Sequence, residues 1–183
     1  MERIKKSFYE MECQLFRNVN QYFDRKYWNT FFRTITHCGG ATFTISTLLL
    51  MMVFGTQAVQ LTAFAGAISL AVSHIPVAAL KKMYPRRRPY LVLEKINVTD
   101  NPLKDHSFPS GHTTAIFSVI VPFGLFMPAF MIVLMPLGFT VGISRMYLGL
   151  HYPSDVLAGI VLGSSMGLFS FLMMKQFFPY VFS

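Results

Sequence analysis

The stretch SRMYLGLHYPSD, residues 144–155, places an arginine, a histidine and an aspartate inside a long apolar region. It contains the only Lys, Arg, Asp or Glu side chains within residues 113–174. Charged groups in a membrane-like segment are costly unless they are paired or take part in function. We therefore predict functional roles for Arg145, His151 and Asp155.

Local geometry supports a functional pairing in this stretch. Pro153 suits the first position of a helix, where its missing N–H costs nothing, and Asp155 then falls in the first helical turn. From there the carboxylate can reach back to His151, fix its tautomer and favour its cationic form. With Arg145 upstream, this pattern indicates half of a phosphoryl-transfer site. The alternative is an interfacial histidine and a helix-capping aspartate.

The composition predicts an integral membrane protein. Of 183 residues, 53% are hydrophobic and only 13% are charged, and several apolar runs approach the length of a bilayer span. The formal net charge is +8, but the cations cluster beside the predicted spans, so we expect the phospholipid bilayer as partner and no nucleic acid. Cys13 and Cys38 match no metal-binding spacing.

Hydropathy predicts an all-α bundle that forms one domain over residues 1–183. Residues 1–29 mix basic and aromatic side chains, a composition that favours an interfacial N-terminal helix. The apolar run 113–142 would make one helix of about 45 Å, too long for a bilayer core of about 30 Å, so we predict a turn at 126–131. The five predicted spans are approximately 31–54, 58–80, 110–127, 130–147 and 153–174. In the first span, Gly39 and Gly40 are expected to allow close helix approach.

A long polar segment, residues 81–112, separates the second span from the third. It begins with a cluster of bases: Lys81, Lys82, Arg86, Arg87 and Arg88. It ends with Ser110 as a predicted helix N-cap and with Gly111, which leaves room for an anion at the helix N-terminus. An imidazole at His112 can then protonate a leaving oxygen. A basic cluster beside a span is also typical of a topology or lipid-surface signal. His74, inside the second span, is more typical of packing than of catalysis.

Five crossings place three polar stretches on one side of the membrane: residues 1–29, 81–112 and 144–155. All but one, Lys175, of the 16 Lys and Arg residues then lie on that side. The count of spans thus predicts a single site at one membrane face.

Three motifs now carry a family resemblance. They are Lys81 followed after six residues by Arg88-Pro89, then Pro109-Ser110-Gly111-His112, then Ser144-Arg145 with His151 and Asp155 downstream. In this order and spacing they resemble the complete signature of the type 2 phosphatidic acid phosphatase family, over residues 81–155, and the chain is similar to the family's small bacterial members. That family's site also resembles the site of the vanadium haloperoxidases.

The resemblance implies a role for each matched residue. It implies five phosphate-binding residues: Lys81, Arg88, Ser110, Gly111 and Arg145. His151 would attack phosphorus and Asp155 would orient it. His112 would protonate the departing group and then activate the water that releases the phosphohistidine. No metal and no cofactor are implied.

The resemblance further implies a metal-independent phosphatase that acts on a membrane lipid phosphate. Polyprenyl (undecaprenyl) diphosphate, as in recycling of a cell-wall carrier lipid, is the favoured substrate, and phosphatidic acid or phosphatidylglycerophosphate is the alternative. A protein that only binds or transports an anionic lipid would need the cations but not His112, His151 and Asp155. Vanadate-dependent oxidation and metal-dependent hydrolysis are less consistent with the sequence.

Two signals disagree on the orientation of this multi-pass cell-membrane protein. The positive-inside rule would put the arginine-rich face in the cytoplasm. The resemblance implies an active site on the extracytoplasmic face, and we follow it because many of these cations serve the site.

Overall fold

The computed structural model describes residues 2–182, and within that range it contains helices and no β-strand. Seven α-helices follow in order: α1 (Glu2–Asn20), α2 (Lys26–Ile35), α3 (Ala41–Phe54), α4 (Gln57–Met83), α5 (Gly111–Phe126), α6 (Met131–Tyr147) and α7 (Pro153–Phe177). Short 3₁₀ helices occupy Thr36–Gly39, Pro89–Leu91, Pro128–Phe130 and Pro179–Val181. The predicted all-α class is confirmed.

Helix α5 forms the centre of the bundle and packs against α4, α6 and α7. It is apolar on every side, as expected of a helix without a solvent face. Ile116, Phe117 and Ile120 are buried there with Val141 of α6. The surrounding helices instead expose large apolar side chains, among them Phe54, Ile75, Ile132, Val161 and Phe169. An exposed apolar surface of this extent indicates contact with lipid.

Glycines bring α7 close to α5. Gly159, Gly163 and Gly167 recur at every fourth position of α7 and are buried against α5. A Cβ added at Gly163 would lie 2.8 Å from the Cβ of Phe117, closer than real Cβ atoms come. This spacing of small residues is the usual means of close helix packing in membranes.

Three helical segments are long and apolar enough to cross a membrane: Gln57–Met83, Pro128–Tyr147 and Pro153–Phe177. Helices α2 and α3 give a fourth crossing if they count as one bent span. The remaining predicted span, 110–127, corresponds to α5, which is apolar but has 16 residues, fewer than the roughly 20 that usually span a bilayer. The predicted turn between the third and fourth spans is confirmed, because α5 ends at Phe126 and a 3₁₀ turn precedes α6.

The structure differs from the predicted spans in two places. The first span, predicted at about 31–54, is broken at Gly40, and the two halves meet at 55°. A Cβ at Gly39 would lie 2.6 Å from the carbonyl oxygen of His112, so the glycine lets the chain turn against the start of α5. Helix α4 continues to Met83, which places Lys81 in its last turn rather than in the loop.

The predicted N-terminal helix is present as α1. One of its faces packs on the ends of α6 and α7 and buries Glu12, Cys13, Phe16 and Asn20. The other face exposes apolar side chains: Ile4, Phe8, Met11 and Leu15. An exposed apolar face beside basic residues suits a membrane interface, and the interfacial position of this helix stays a prediction.

Candidate active site

The three sequence motifs meet at one cavity of about 540 Å³. Lys81 comes from the end of α4, Arg88 from the following loop, Gly111 and His112 from the start of α5, and His151 from the loop before α7. The remaining predicted residues, Ser110, Arg145 and Asp155, are buried beside these groups. The fold thus brings together side chains that are up to 74 positions apart in the sequence.

His151 is buried, with 1% of its surface exposed. Its Nε2 lies 3.2 Å from Nη1 of Arg88, and its Nδ1 lies 3.6 Å from Oδ2 of Asp155. Since arginine only donates, the short contact makes Nε2 the acceptor and leaves the proton on Nδ1, facing Asp155. Burial lowers the pKa of His151 to about 4, with Arg88 and Arg145 acting in the same direction and Asp155 opposing them.

Asp155 itself favours the cationic histidine, as predicted, but burial and the two arginines outweigh the carboxylate and lower the pKa of His151. His151 is therefore neutral at pH 7, the state that a nucleophilic imidazole needs.

Asp155 both caps α7 and lies beside the histidine. Helix α7 begins at Pro153 as predicted, and Oδ2 of Asp155 accepts a 2.8 Å hydrogen bond from the backbone N–H of Tyr152. Ser107 also donates to Oδ2, and Arg86 donates to Oδ1 over 2.9 Å. The 3.6 Å between Oδ2 of Asp155 and Nδ1 of His151 is longer than a hydrogen bond. The same carboxylate therefore caps the helix and faces the histidine, so both positions considered from the sequence apply to it.

Arg88 is fully buried and uses each of its three nitrogen atoms. Nη1 donates to the carbonyl of Leu150 over 2.8 Å, Nε donates to the carbonyl of Asp105 over 2.9 Å, and Nη2 donates to Oδ1 of Asp105 over 2.6 Å. Lys81 binds the other carboxylate oxygen of Asp105. Burial alone would raise the pKa of Asp105, but hydrogen bonds from Lys81 and Arg88 outweigh it and hold the pKa at about 2.

Arg145, in the last turn of α6, is 3% exposed and keeps unused hydrogen-bonding capacity. Its Nη1 donates to Oγ1 of Thr36 over 2.7 Å, whereas its Nε is buried without a partner. Within residues 2–182, no carboxylate lies within ion-pair distance of this guanidinium. A buried, uncompensated cation is costly, and an anionic ligand is the natural compensation.

The start of α5 differs in one detail from the prediction. Ser110 occupies the N-cap position, but its hydroxyl lies 2.9 Å from Oγ1 of Thr113 and does not cap the helix. Its N–H donates to the carbonyl of Asp155 over 3.0 Å, so both groups have protein partners. Gly111 lines the cavity, and an added Cβ there would meet no atom within 4 Å. His112 lines the same cavity.

Sequence reasoning missed a second ion-pair network, centred on Arg86. Besides Asp155, this guanidinium binds Glu12 of α1 and lies 3.8 Å from the ring centroid of Tyr152. Ser154 donates to Glu12 over 2.5 Å. The run of three arginines indicated a basic cluster in the sequence. Only the fold distinguishes buried Arg88 and paired Arg86 from exposed Arg87.

The far part of the cavity is apolar. It follows α3 and α4 and is lined by Ile45, Leu48, Leu49, Met52 and Leu70. His74 also lines it, and its Nδ1 lies 2.8 Å from the carbonyl oxygen of Leu70 in the preceding helical turn. In the described part of the chain, no group of three His, Cys, Asp or Glu side chains is arranged to hold a metal ion.

Comparisons with known proteins agree with this site. The family model described as PAP2 superfamily matches residues 60–179. The chain is 36% identical over 104 residues to the bacitracin transport permease protein BcrC of Bacillus licheniformis, covering 57% of this chain and 51% of that protein. It is 35% identical over 98 residues to the putative undecaprenyl-diphosphatase YbjG of Escherichia coli, covering 53% and 49%. The matched part thus spans about half the length of these curated relatives.

A solved structure has the same fold. The crystal structure of LpxE from Aquifex aeolicus superimposes with a TM-score of 0.75 at 25% identity, covering 86% of this chain and 92% of that chain. Together with the apolar helices, this likeness identifies a multi-pass membrane protein.

Proposed function

The chain belongs to the PAP2 superfamily, and on that basis we propose that it is a lipid phosphatase that works through a phosphohistidine intermediate. One observation carries the proposal: a histidine and two cations, Lys81 and Arg88, line the end of an apolar cavity, and near this histidine the Nε of buried Arg145 has no partner. Such a site fits an anionic head group attached to a lipid chain.

The first chemical step follows from the tautomer of His151. With its proton on Nδ1, the Nε2 lone pair attacks phosphorus, and the new N–P bond replaces the P–O bond to the leaving group. Lys81, Arg88 and Arg145 stabilise charge on the equatorial phosphate oxygens, which is the main catalytic requirement of a loose transition state. His112, as the imidazolium, gives its proton to the departing oxygen and becomes neutral.

The second step regenerates the enzyme. His112, now without its proton, takes one from a water molecule, and the resulting hydroxide attacks the phosphohistidine. The N–P bond breaks, inorganic phosphate leaves, and the electron pair returns to Nε2 of His151. Asp155, whose Oδ2 lies 3.6 Å from Nδ1, faces this side of the ring in both steps and balances the positive charge of the phosphohistidine.

The apolar part of the cavity supports a lipid substrate. Its lining on α3 extends from Ala41 to Met52, about 16 Å along the helix axis. An isoprenoid or acyl chain would lie in this groove while the phosphate reaches the cations. We favour a polyprenyl diphosphate such as undecaprenyl diphosphate, because a relative carries that name, and keep phosphatidic acid and phosphatidylglycerophosphate as alternatives.

Phosphate release from purified lipid phosphates in detergent tests the proposal. We expect release from undecaprenyl diphosphate to exceed release from either glycerolipid, to persist in the presence of a metal chelator, and to be inhibited by vanadate, which mimics pentacoordinate phosphorus. His151→Ala is the control without a nucleophile. Activity that a chelator abolishes and magnesium or zinc restores would contradict the metal-independent mechanism.

A second candidate function is lipid binding or transport without chemistry, which the name of the BcrC relative favours. The two functions differ in their need for the histidines, since binding requires only the cations. If the His112→Ala and His151→Ala variants keep their full function in cells while the purified proteins release no phosphate from lipid phosphates, transport is the better description.

We propose that the site faces the extracytoplasmic side of the cell membrane. The test uses single cysteines at Lys104, in the loop beside the site, and at Ala129, in the turn between α5 and α6, with Cys13 and Cys38 replaced by serine. An impermeant thiol reagent should label position 104 from outside intact cells and leave position 129 unlabelled. The reverse labelling would place the site in the cytoplasm.

A further inference from the structure

Asp105 occupies the position in which a substrate phosphate is expected. Its carboxylate binds Lys81 with one oxygen and Arg88 with the other, and these are two of the three cations assigned to the phosphate. Its side chain is half exposed, whereas that of Arg88 is fully buried. The carboxylate can therefore rotate into solvent without unpacking the core.

The backbone of Asp105 makes a separate contact that such a rotation would leave intact. The carbonyl oxygen of Asp105 accepts a hydrogen bond from Nε of Arg88 over 2.9 Å. The carbonyl of Leu150 holds Nη1 of the same guanidinium over 2.8 Å. Arg88 thus stays in place through two main-chain carbonyls while its Nη2 exchanges one anionic partner for another.

We propose that Asp105 sets an affinity threshold for anions: its carboxylate acts as an internal competitor that an incoming phosphate has to displace. This inference rests on the proposed function. It adds an energetic threshold: a ligand binds well only if its own contacts with Lys81 and Arg88 compensate for the carboxylate contacts that it displaces. A terminal phosphate or diphosphate carries close to two negative charges at neutral pH and compensates for the lost carboxylate contacts. A phosphodiester carries one, the same as the group that it would displace.

The threshold has a consequence for a site embedded in a bilayer. Phosphodiester head groups surround the protein in large excess over any lipid with a terminal phosphate, and cations such as Lys81 and Arg88 would attract both. With Asp105 in place, a phosphodiester gains little by exchange, so the site stays available to the substrate.

Anion binding to detergent-purified protein tests the inference, with inorganic phosphate at pH 8 as the doubly charged probe and dimethyl phosphate as the singly charged one. In Asp105→Asn, the dissociation constants of both probes should fall by about tenfold, and by the same factor, because the displaced contacts are the same for each. Asp100→Asn is the matched control: it removes an exposed carboxylate of the same loop, which binds partly buried Arg33, and it should leave both constants unchanged.

A second variant covers the case in which Asp105→Asn folds poorly. In Asp105→Ala, added formate should enter the vacated position and return the phosphate affinity toward the wild-type value, an effect that a purely structural role would not produce. Weaker binding of both probes in the two variants would make Asp105 a positioning residue for the cations and overturn the inference. If only inorganic phosphate binds more tightly in the variants, Asp105 repels the doubly charged anion without being displaced by it. That result also overturns the inference. If the wild-type protein and both variants all fail to bind inorganic phosphate, the proposed function itself is wrong.

Discussion

Lys81 and Arg88 line the cavity and Arg145 is buried close to it, and these three cations have different partners. Lys81 and Arg88 are balanced by Asp105, whereas Arg145 has only Thr36 and an unpaired Nε. Residues 81 and 88 would therefore exchange an internal anion for the substrate, while Arg145 would gain its first anionic partner. All three contacts strengthen as charge develops on the phosphate oxygens in the transition state.

Replacement of each cation by alanine should reduce kcat/KM by an amount equivalent to about 2–4 kcal/mol, the cost of deleting a preorganised donor. Steady-state kinetics with a soluble aryl phosphate gives the measurement. Lys82→Ala and Arg87→Ala are matched controls, because both side chains are exposed neighbours of the site residues. Equal losses in the controls would attribute the effect to net charge rather than to these contacts.

The second prediction at this scale concerns the protonation of His151. Its pKa should be about 4 in the free protein, so the imidazole stays neutral as the pH falls from 7 to 5. NMR titration of labelled histidine, with His151→Gln to identify the resonance, measures this directly. A value at or above the ordinary 6.5 would contradict the lowering of this pKa by burial and by the charges of Arg88 and Arg145.

The same shift affects stability, and its sign follows from proton uptake. Between pH 6.5 and about 4 the unfolded chain binds a proton at His151 that the folded protein does not. This group therefore lowers the free energy of unfolding as the pH decreases through that window. Above pH 6.5 its contribution is constant.

Among the elements, α1 has an unexpected connection to the catalytic groups. Glu12 binds Arg86, and Arg86 binds Asp155, so an N-terminal helix outside the family motifs helps to set the charge beside His151. If Glu12 loses its charge, Arg86 neutralises Asp155 more strongly. Asp155 then supports the imidazole less.

Glu12→Gln should lower kcat by about tenfold, the equivalent of one charge-assisted hydrogen bond, and should also lower the pKa of His151 further. Glu10→Gln is the control, because Glu10 is an exposed residue of the same helix. A loss of activity with an unchanged pKa of His151 would limit Glu12 to a structural role.

The contact between α5 and α7 leads to the fourth prediction. Gly163→Ala would place a Cβ 2.8 Å from the Cβ of Phe117 and 3.0 Å from the backbone nitrogen of Ser118, so the helices have to separate. We expect a loss of about 1–3 kcal/mol in the free energy of unfolding, the usual cost of overpacking. Denaturation in detergent provides the measurement, and Ser165→Thr, which adds a methyl group on the exposed face of α7, should change little.

At the scale of the whole molecule, the sequence predicted the features that depend on local pattern. Apolar run lengths predicted the helices and the turn before α6, and motif spacing identified His112, Arg145 and His151, which the fold brings close together. The bend at Gly40 was missed, because a glycine pair fits both close packing and a helix break until its neighbour in space is known.

The acidic partners were also missed, for a related reason. Asp105 lies in a loop without periodicity, and Glu12 lies on a helix 74 positions before Arg86, so neither pairing has a local signal. The sequence supplied the cations and the histidines. Only the fold shows which anions hold them before the substrate arrives.

The central claim is that His151 becomes phosphorylated while His112 serves first as acid and then as base. An aryl phosphate has a leaving group that needs little protonation, so His112→Ala should complete the first step and stop before hydrolysis. Rapid-quench labelling of that variant with a ³²P-labelled aryl phosphate should trap an acid-labile phosphoenzyme, and the double variant His112→Ala, His151→Ala should show none. No label in His112→Ala, or undiminished label in the double variant, would contradict the mechanism.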